Sequence, residues 1–160
     1  MKWQDVCGRP DLQNLPFKIE LDEHGKIIMS PVKVYHSALQ GEIAAMLRSH
    51  RKDGRILTEC AIQTRKGTKV TDVSWASGET YRTIRDEDEC HLAPEVCIEV
   101  LSSSNTEDEI AEKKTLYFEK GAKEVWSCDR TGRLECFNPG GKAAKSDFFP
   151  NFPQTVELDI

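Results

Sequence analysis

The chain has 160 residues, of which 38% are hydrophobic and 31% charged, and its formal net charge is -5. That length fits one domain able to bury a core without crosslinks, and the composition describes a soluble globular protein. The negative balance argues against a generic nucleic-acid binder, which carries excess positive charge, and no segment approaches membrane-spanning length.

The first sixteen residues, MKWQDVCGRPDLQNLP, read as an irregular lead-in punctuated by Pro10 and Pro16. They contain no apolar run long enough for a secretion signal, so a cytoplasmic location is expected. Phe17–Leu21 and Lys26–Ser30 then read as an N-terminal β-hairpin, with Gly25 supplying the positive φ of its turn. Tyr35–His50 reads as a helix, because Tyr35, Leu39, Ile43, Met46 and Leu47 recur at helical spacing. Strands are expected at Arg55–Gln63 and Lys69–Ala76 around the turn Lys66-Gly67-Thr68, followed by a polar loop from Ser77 to His91 with room for one helical turn.

Pro94–Leu101 reads as a buried central strand. Thr106 and Glu109 have the spacing of a capping box, and the acids Glu107, Asp108 and Glu109 suit the positive end of a helix dipole. That helix runs to about Lys120 and stops at Gly121. Glu124–Asp129 and Arg133–Asn138 form a closing hairpin, and the tail from Pro139 wraps the surface before a short strand at Thr155–Leu158. The order β-β-α-β-β-β-α-β-β defines a single domain over residues 1–160 of the α+β, mixed α/β class.

Charge and cysteine placement add detail. Arg48 to Lys69 carries seven basic against two acidic residues, whereas Glu79 to Glu89 carries five acids against two arginines. Arg65, Lys66 and Lys69 are therefore the candidates for meeting phosphates, although ordinary solvated helix ends and hairpins carry such charge equally often. The six cysteines include no C-x-x-C pair. In a reducing compartment they read as free thiols filling core positions, and a zinc module built from them is the less favoured alternative.

Two acids carry the chemistry. Asp72 lies inside the strand-like run Val70-Thr71-Asp72-Val73-Ser74-Trp75, and Glu99 lies in Cys97-Ile98-Glu99-Val100-Leu101. A buried carboxylate is costly unless paired or bound to a cation. For either acid alone, a neighbouring Arg or Lys at a sheet edge is the simpler explanation. Two acids on consecutive core strands repel each other unless a cation lies between them, and a hard cation such as Mg²⁺ binds through one or two carboxylates plus waters and phosphates.

On the second long helix Ile110, Ala111, Tyr117 and Phe118 mark the inward face, and either Lys113 or Lys114 can send its ammonium towards the sheet. Glu42, at the border of the first helix's apolar stripe, is a candidate third carboxylate, though a solvent-facing flank position explains it equally well. His36 lies on that stripe and reads as a hydrogen-bonded core residue rather than a base. Ser102-Ser103-Ser104-Asn105 lacks a nucleophile elbow and reads as a strand exit leading to a helix cap.

These residues, together with LPFKIELDEHGKIIMSP, Pro94-Glu95-Val96-Cys97-Ile98-Glu99-Val100-Leu101-Ser102, Glu112-Lys113 and Gly121-Ala122-Lys123-Glu124-Val125-Trp126, resemble the PD-(D/E)XK nuclease superfamily. The closer likeness is to its Uma-type, restriction-endonuclease-like members, from about Leu15 to Gly140. The resemblance implies a central mixed sheet flanked by helices. It makes Asp72 the aspartate of the motif and Glu99 the acid of its second half. It also selects Lys113 over Lys114, because Lys113, eight residues before Gly121, matches the lysine that the family carries in this helix. Two departures stand out: Thr71 replaces the usual proline, and Leu101 stands where the superfamily's strand lysine is usual.

The implied activity is a Mg²⁺-dependent DNA endonuclease, with Mn²⁺ able to substitute. Asp72, Glu99 and the Val100 carbonyl would hold the metal, Lys113 would act on the attacking water, and Glu42 would support the site. A homodimer is expected by the same resemblance. The competing expectation is a nuclease-like scaffold that binds nucleic acid or a protein partner without cutting, favoured by the pI of about 5.4 and by Leu101.

Overall fold

The structure, a computed structural model, describes residues 1–159. Its centre is a six-stranded sheet of order β3-β4-β5-β6-β7-β8, comprising β3 (Arg55–Thr64), β4 (Gly67–Ala76), β5 (Val96–Val100), β6 (Glu124–Cys128), β7 (Leu134–Asn138) and β8 (Gly141–Ala143). All neighbours are antiparallel except β5 and β6, which run parallel. The parallel pair requires a crossover, and α4 (Glu107–Glu119) supplies it. A separate hairpin of β1 (Phe17–Leu21) and β2 (Ile27–Pro31) stands beside this sheet. The mixed sheet and the hairpin agree with the expected fold class.

The two faces of the sheet follow from strand alternation. Val96, Ile98 and Val100 of β5 join Val73 and Trp75 of β4 under Leu39, Ile43 and Leu47 of α2 (Val34–His50). The intervening Cys97 faces the opposite way, towards Tyr117 and a second cluster with Ile62, Ile84 and Val125. Period-two alternation on a strand buried on both faces therefore makes two cores, one under α2 and one under α4. The inward residues of α4 are Leu116 and Tyr117, whereas Ala111, expected on that face, is exposed. The expected capping box at Thr106 and Glu109 is present.

Three expectations need correction. The lead-in is not irregular: it holds α1 (Trp3–Cys7) and a 3₁₀ turn at Pro10–Leu12, with Val6 buried. The polar loop after β4 contains a full helix, α3 (Gly78–Ile84), whose N-cap Ser77 accepts from the Thr80 amide while Glu95 holds the Ser77 amide and the Thr80 hydroxyl. The Ser-x-x-Thr spacing was the available signal.

The tail is not merely a wrapping either. It adds β8 and inserts Phe149 and Val156 into the core beside Trp75 and Trp126. Its expected last strand is reduced to one bridge between Arg133 and Thr155.

The hairpin is placed by a close approach. Gly67, at φ +89°, turns β3 into β4, and a Cβ there would collide with the carbonyl oxygens of Leu21 and Asp22. Only glycine tolerates both the dihedral and the proximity. From this contact β1 reaches along β4, where the Glu20 carboxylate accepts the Val70 amide at 2.7 Å. β4 and β5 are paired only at Val73–Ile98, Ser74–Cys97 and Trp75–Val96. Beyond Val73 their backbones no longer satisfy each other, and side chains take over.

Candidate functional site

Asp72 and Glu99 each sit one residue past the last β4–β5 pair, so the point where the strands part is lined by two carboxylates. Asp72 is 1% and Glu99 4% exposed. Asp72 Oδ2 takes the Val100 amide at 2.8 Å, replacing a ladder bond, and the Thr71 hydroxyl donates to the Ile98 carbonyl at 3.2 Å. Thr71 thus ties the parting strands together.

Glu99 is fixed from the helix side: the Tyr117 hydroxyl donates to its Oε1 at 2.5 Å. Burial, aided by the facing Glu99, pushes the Tyr117 phenol well above its ordinary value, so it remains a donor.

Three further groups complete the cluster. The Lys18 ammonium of β1 lies 3.1 Å from Asp72 Oδ1, 3.4 Å from Glu99 Oε2 and 4.0 Å from Glu20 Oε2. Lys113 of α4 lies 2.9 Å from Glu20 Oε2 and 3.7 Å from Glu99 Oε1. His36, in the first turn of α2, places Nε2 3.4 Å from Asp72 Oδ2, while its buried Nδ1 has no hydrogen-bond partner among the described residues.

Burial alone would discharge Lys18, but Glu99, Asp72 and Glu20 outweigh it and hold the ammonium charged. Burial works against Asp72 and Glu20 too. For Asp72, Lys18 and the His36 hydrogen bond overcome it, and for Glu20 Lys113 and Lys18 do; both carboxyls end below their ordinary values. Glu99 goes the other way. Its burial, with Asp72 and Glu20 nearby, exceeds the help from Lys113 and Lys18 and raises it. Neighbouring acids with opposite shifts are characteristic of sites that handle protons or cations.

The structure therefore places Asp72, Glu99 and Lys113 in one cluster. Lys114 is not part of it: its ammonium lies 3.5 Å from the centroid of the Phe137 ring. Helical periodicity left both lysines able to reach the sheet, and of the two it is Lys113 that lies beside Glu99. Glu42 is exposed on α2 and does not line the cavity above the acids, so it does not join the cluster. His36 is buried, as its place on the apolar stripe implied, and the partner it meets there is Asp72.

Sequence reasoning missed Glu20 and Lys18. Their alternation in Phe17-Lys18-Ile19-Glu20-Leu21 places both on one hairpin face, a signal that had been available. What it lacked was the docking of that face onto β4.

Lys18, Glu20, His36, Glu99 and Lys113 line an open cavity of about 560 Å³, with Ser30, Val100, Ser102, Asn105, Lys66 and Lys69 around them, while Asp72 is not part of its lining. The basic run feeding it is largely engaged elsewhere. Arg48 binds the carbonyls that follow α2, Arg51 pairs with Asp53 and stacks on Trp75, Arg65 pairs with Glu119, and Lys66 with Glu112. Lys69 reaches the Leu21 carbonyl.

No set of three His, Cys, Asp or Glu side chains among the described residues converges tightly enough to hold a metal by itself. The cysteines, all free, gather no zinc set; Cys60 and Cys90 touch at 3.3 Å, and His91 is held by Glu87. Two hard carboxylates do meet, however, and an ammonium already fills the space between them as a stand-in cation. A two-carboxylate donor set completed by water and phosphate fits Mg²⁺ or Mn²⁺.

This architecture matches that of a solved protein. The crystal structure of a "putative nuclease belonging to DUF820" from Anabaena variabilis ATCC 29413 has a TM-score of 0.76 over 97% of this chain and 94% of that one, at 18% identity. The two share a fold. Comparison with curated proteins returned no match. Residues 4–159 match the Uma2 family, described as "Putative restriction endonuclease", and the chain belongs to that family. Among the described residues no helix is long and apolar enough to cross a membrane.

Proposed function

We propose that this protein is a metal-dependent nuclease of the PD-(D/E)XK type that hydrolyses DNA phosphodiester bonds. The observation that carries the reading is the buried Asp72–Glu99 pair at the parting of two strands, with Lys113 beside Glu99 and Glu99 lining an open cavity. Asp72, Glu99 and the Val100 carbonyl are the groups that would hold Mg²⁺ or Mn²⁺, which when bound supplies Lewis-acid stabilisation of the phosphate and a more acidic water.

The chain's own residues do the rest. Val100 N–H and Tyr117 O–H lock the two carboxylates in place before substrate arrives. Lys113, held beside Glu99 by Glu20, is positioned to orient the attacking water and to stabilise charge as it develops on the phosphate. Lys66 and Lys69 at the cavity rim, with Arg65 beyond them, supply phosphate contacts once released from their intramolecular partners.

The test is cleavage of duplex and single-stranded DNA with Mg²⁺ or Mn²⁺. Asp72→Ala, Glu99→Ala and Lys113→Ala are each expected to lower the rate about 10²- to 10⁴-fold, with Glu42→Ala unchanged. Cleavage that survives all three would refute the assignment.

A second reading, a nuclease-like scaffold that binds without cutting, is favoured by the intramolecular pairing of Arg65 and Lys66 and by Leu101 at the usual lysine position. Under it the same three substitutions leave DNA affinity unchanged, and no cleavage occurs with either metal.

A further inference from the structure

Lys18 is not accounted for by the reading above. It comes from the hairpin rather than from the sheet or α4, yet its ammonium is the group that bridges Asp72 and Glu99, at 3.1 and 3.4 Å. Lys113 does not share this role, since its nearest carboxylate is Glu20 at 2.9 Å. Three carboxylates and two ammonium groups are thus interleaved in one buried cluster.

A dication cannot enter between Asp72 and Glu99 while a like charge stays there, because repulsion at such separations is strong in a poorly screened site. Lys18 also lines the open cavity, and lysine carries its charge on a flexible four-carbon stem, so it has somewhere to withdraw.

We infer that Lys18 is a positioning residue that acts as an internal competitor of the metal: its ammonium holds Asp72 and Glu99 together in the metal-free protein and leaves their midpoint when a divalent cation binds. The inference rests on the metal-dependent reading of this site. It gives the hairpin a definite task, since the Gly67 contact and the Glu20–Val70 hydrogen bond that dock it also deliver Lys18. It also explains how two acids at a strand junction coexist when no metal is bound: the protein carries the counter-charge itself. The metal affinity of the site is then set by residue 18 as well as by the two carboxylates.

The test is Mn²⁺ titration by calorimetry on the full chain, comparing wild type, Lys18→Met and Asp72→Ala. Lys18→Met is expected to bind Mn²⁺ about tenfold more tightly than wild type, the order of effect of removing one nearby like charge, while Asp72→Ala loses binding. Metal-free Lys18→Met should melt at a lower temperature and recover on adding Mn²⁺.

Reductive methylation of wild-type lysines with formaldehyde and borohydride, read by mass spectrometry, checks the same point without a variant. Lys18 should react faster in saturating Mn²⁺ than without it, against unchanged surface lysines. Equal or weaker affinity in Lys18→Met, or unchanged Lys18 labelling, overturns the inference and leaves the metal site standing. Absence of Mn²⁺ binding in both proteins overturns the metal reading and this inference with it. Binding by Lys18→Met alone supports both.

Discussion

The protein buries acids in two places and treats them oppositely. Glu124, 3% exposed on β6, accepts from Ser146 Oγ at 2.6 Å, Asp147 N–H at 2.7 Å and Trp126 Nε1 at 3.0 Å. These are neutral donors supplied by the fold, two of them from the tail, so Glu124 staples the tail to the sheet. Asp72, Glu99 and Glu20 are instead balanced mainly by the ammonium ends of Lys18 and Lys113, and both lysines line an open cavity. An acid satisfied by fixed dipoles is part of the structure. An acid balanced by a mobile charge can exchange that partner for another cation.

The largest stability effect should come from breaking the first arrangement. Glu124→Ala leaves buried donors unsatisfied and should lower stability by about 3 kcal/mol, read as the urea midpoint at constant slope; catalysis per folded molecule should not change. A midpoint near wild type would mean that the tail does not depend on this carboxylate, and the contrast would fail.

Glu20 sharpens the second arrangement through pH. Its folded value lies below the ordinary 4.5, chiefly because the ammonium groups of Lys113 and Lys18 overcome burial. A depressed carboxyl contributes stability that is present above its unfolded value and lost as pH falls through the folded one. Glu20→Gln should therefore cost about 1 to 2 kcal/mol at pH 7 in metal-free protein, with the gap to wild type closing as pH drops below about 4. A gap that stays constant down to acid unfolding would show that Glu20 acts by shape and not by charge.

The smallest effect is expected at Lys114, the neighbour of the catalytic candidate. Its ammonium over Phe137 is worth about 0.5 to 1 kcal/mol, so Lys114→Ala should shift the melting point slightly and leave DNA cleavage intact. Loss of cleavage comparable to that of Lys113→Ala would erase the distinction between the two lysines.

Much of this was legible in order. The alternation of Val96, Ile98 and Val100 with Cys97 and Glu99 made β5 a strand and set Glu99 apart, because a two-residue period decides facing from local spacing alone. Asp72 followed from the same rule, and the cap at Thr106 located α4. The terminal regions were less legible. The insertion of Phe149 into the core depends on a contact with Trp75 and Trp126, far away in the chain, and α3 rests on a cap completed by Glu95 from another segment.

By itself, then, the sequence determined the hairpin, the strands β3 to β7, the helices α2 and α4 and the stripes that face the core from them, and that two carboxylates lie on adjoining strands. Those properties arise from propensities and periods that act over a few residues. Only the tertiary structure decided that α4 turns Lys113 rather than Lys114 to the acids, that Glu42 stays in solvent, and that the hairpin adds Glu20 and Lys18. Each of these depends on how an element is rotated or docked against another, and spacing within an element carries no information about that.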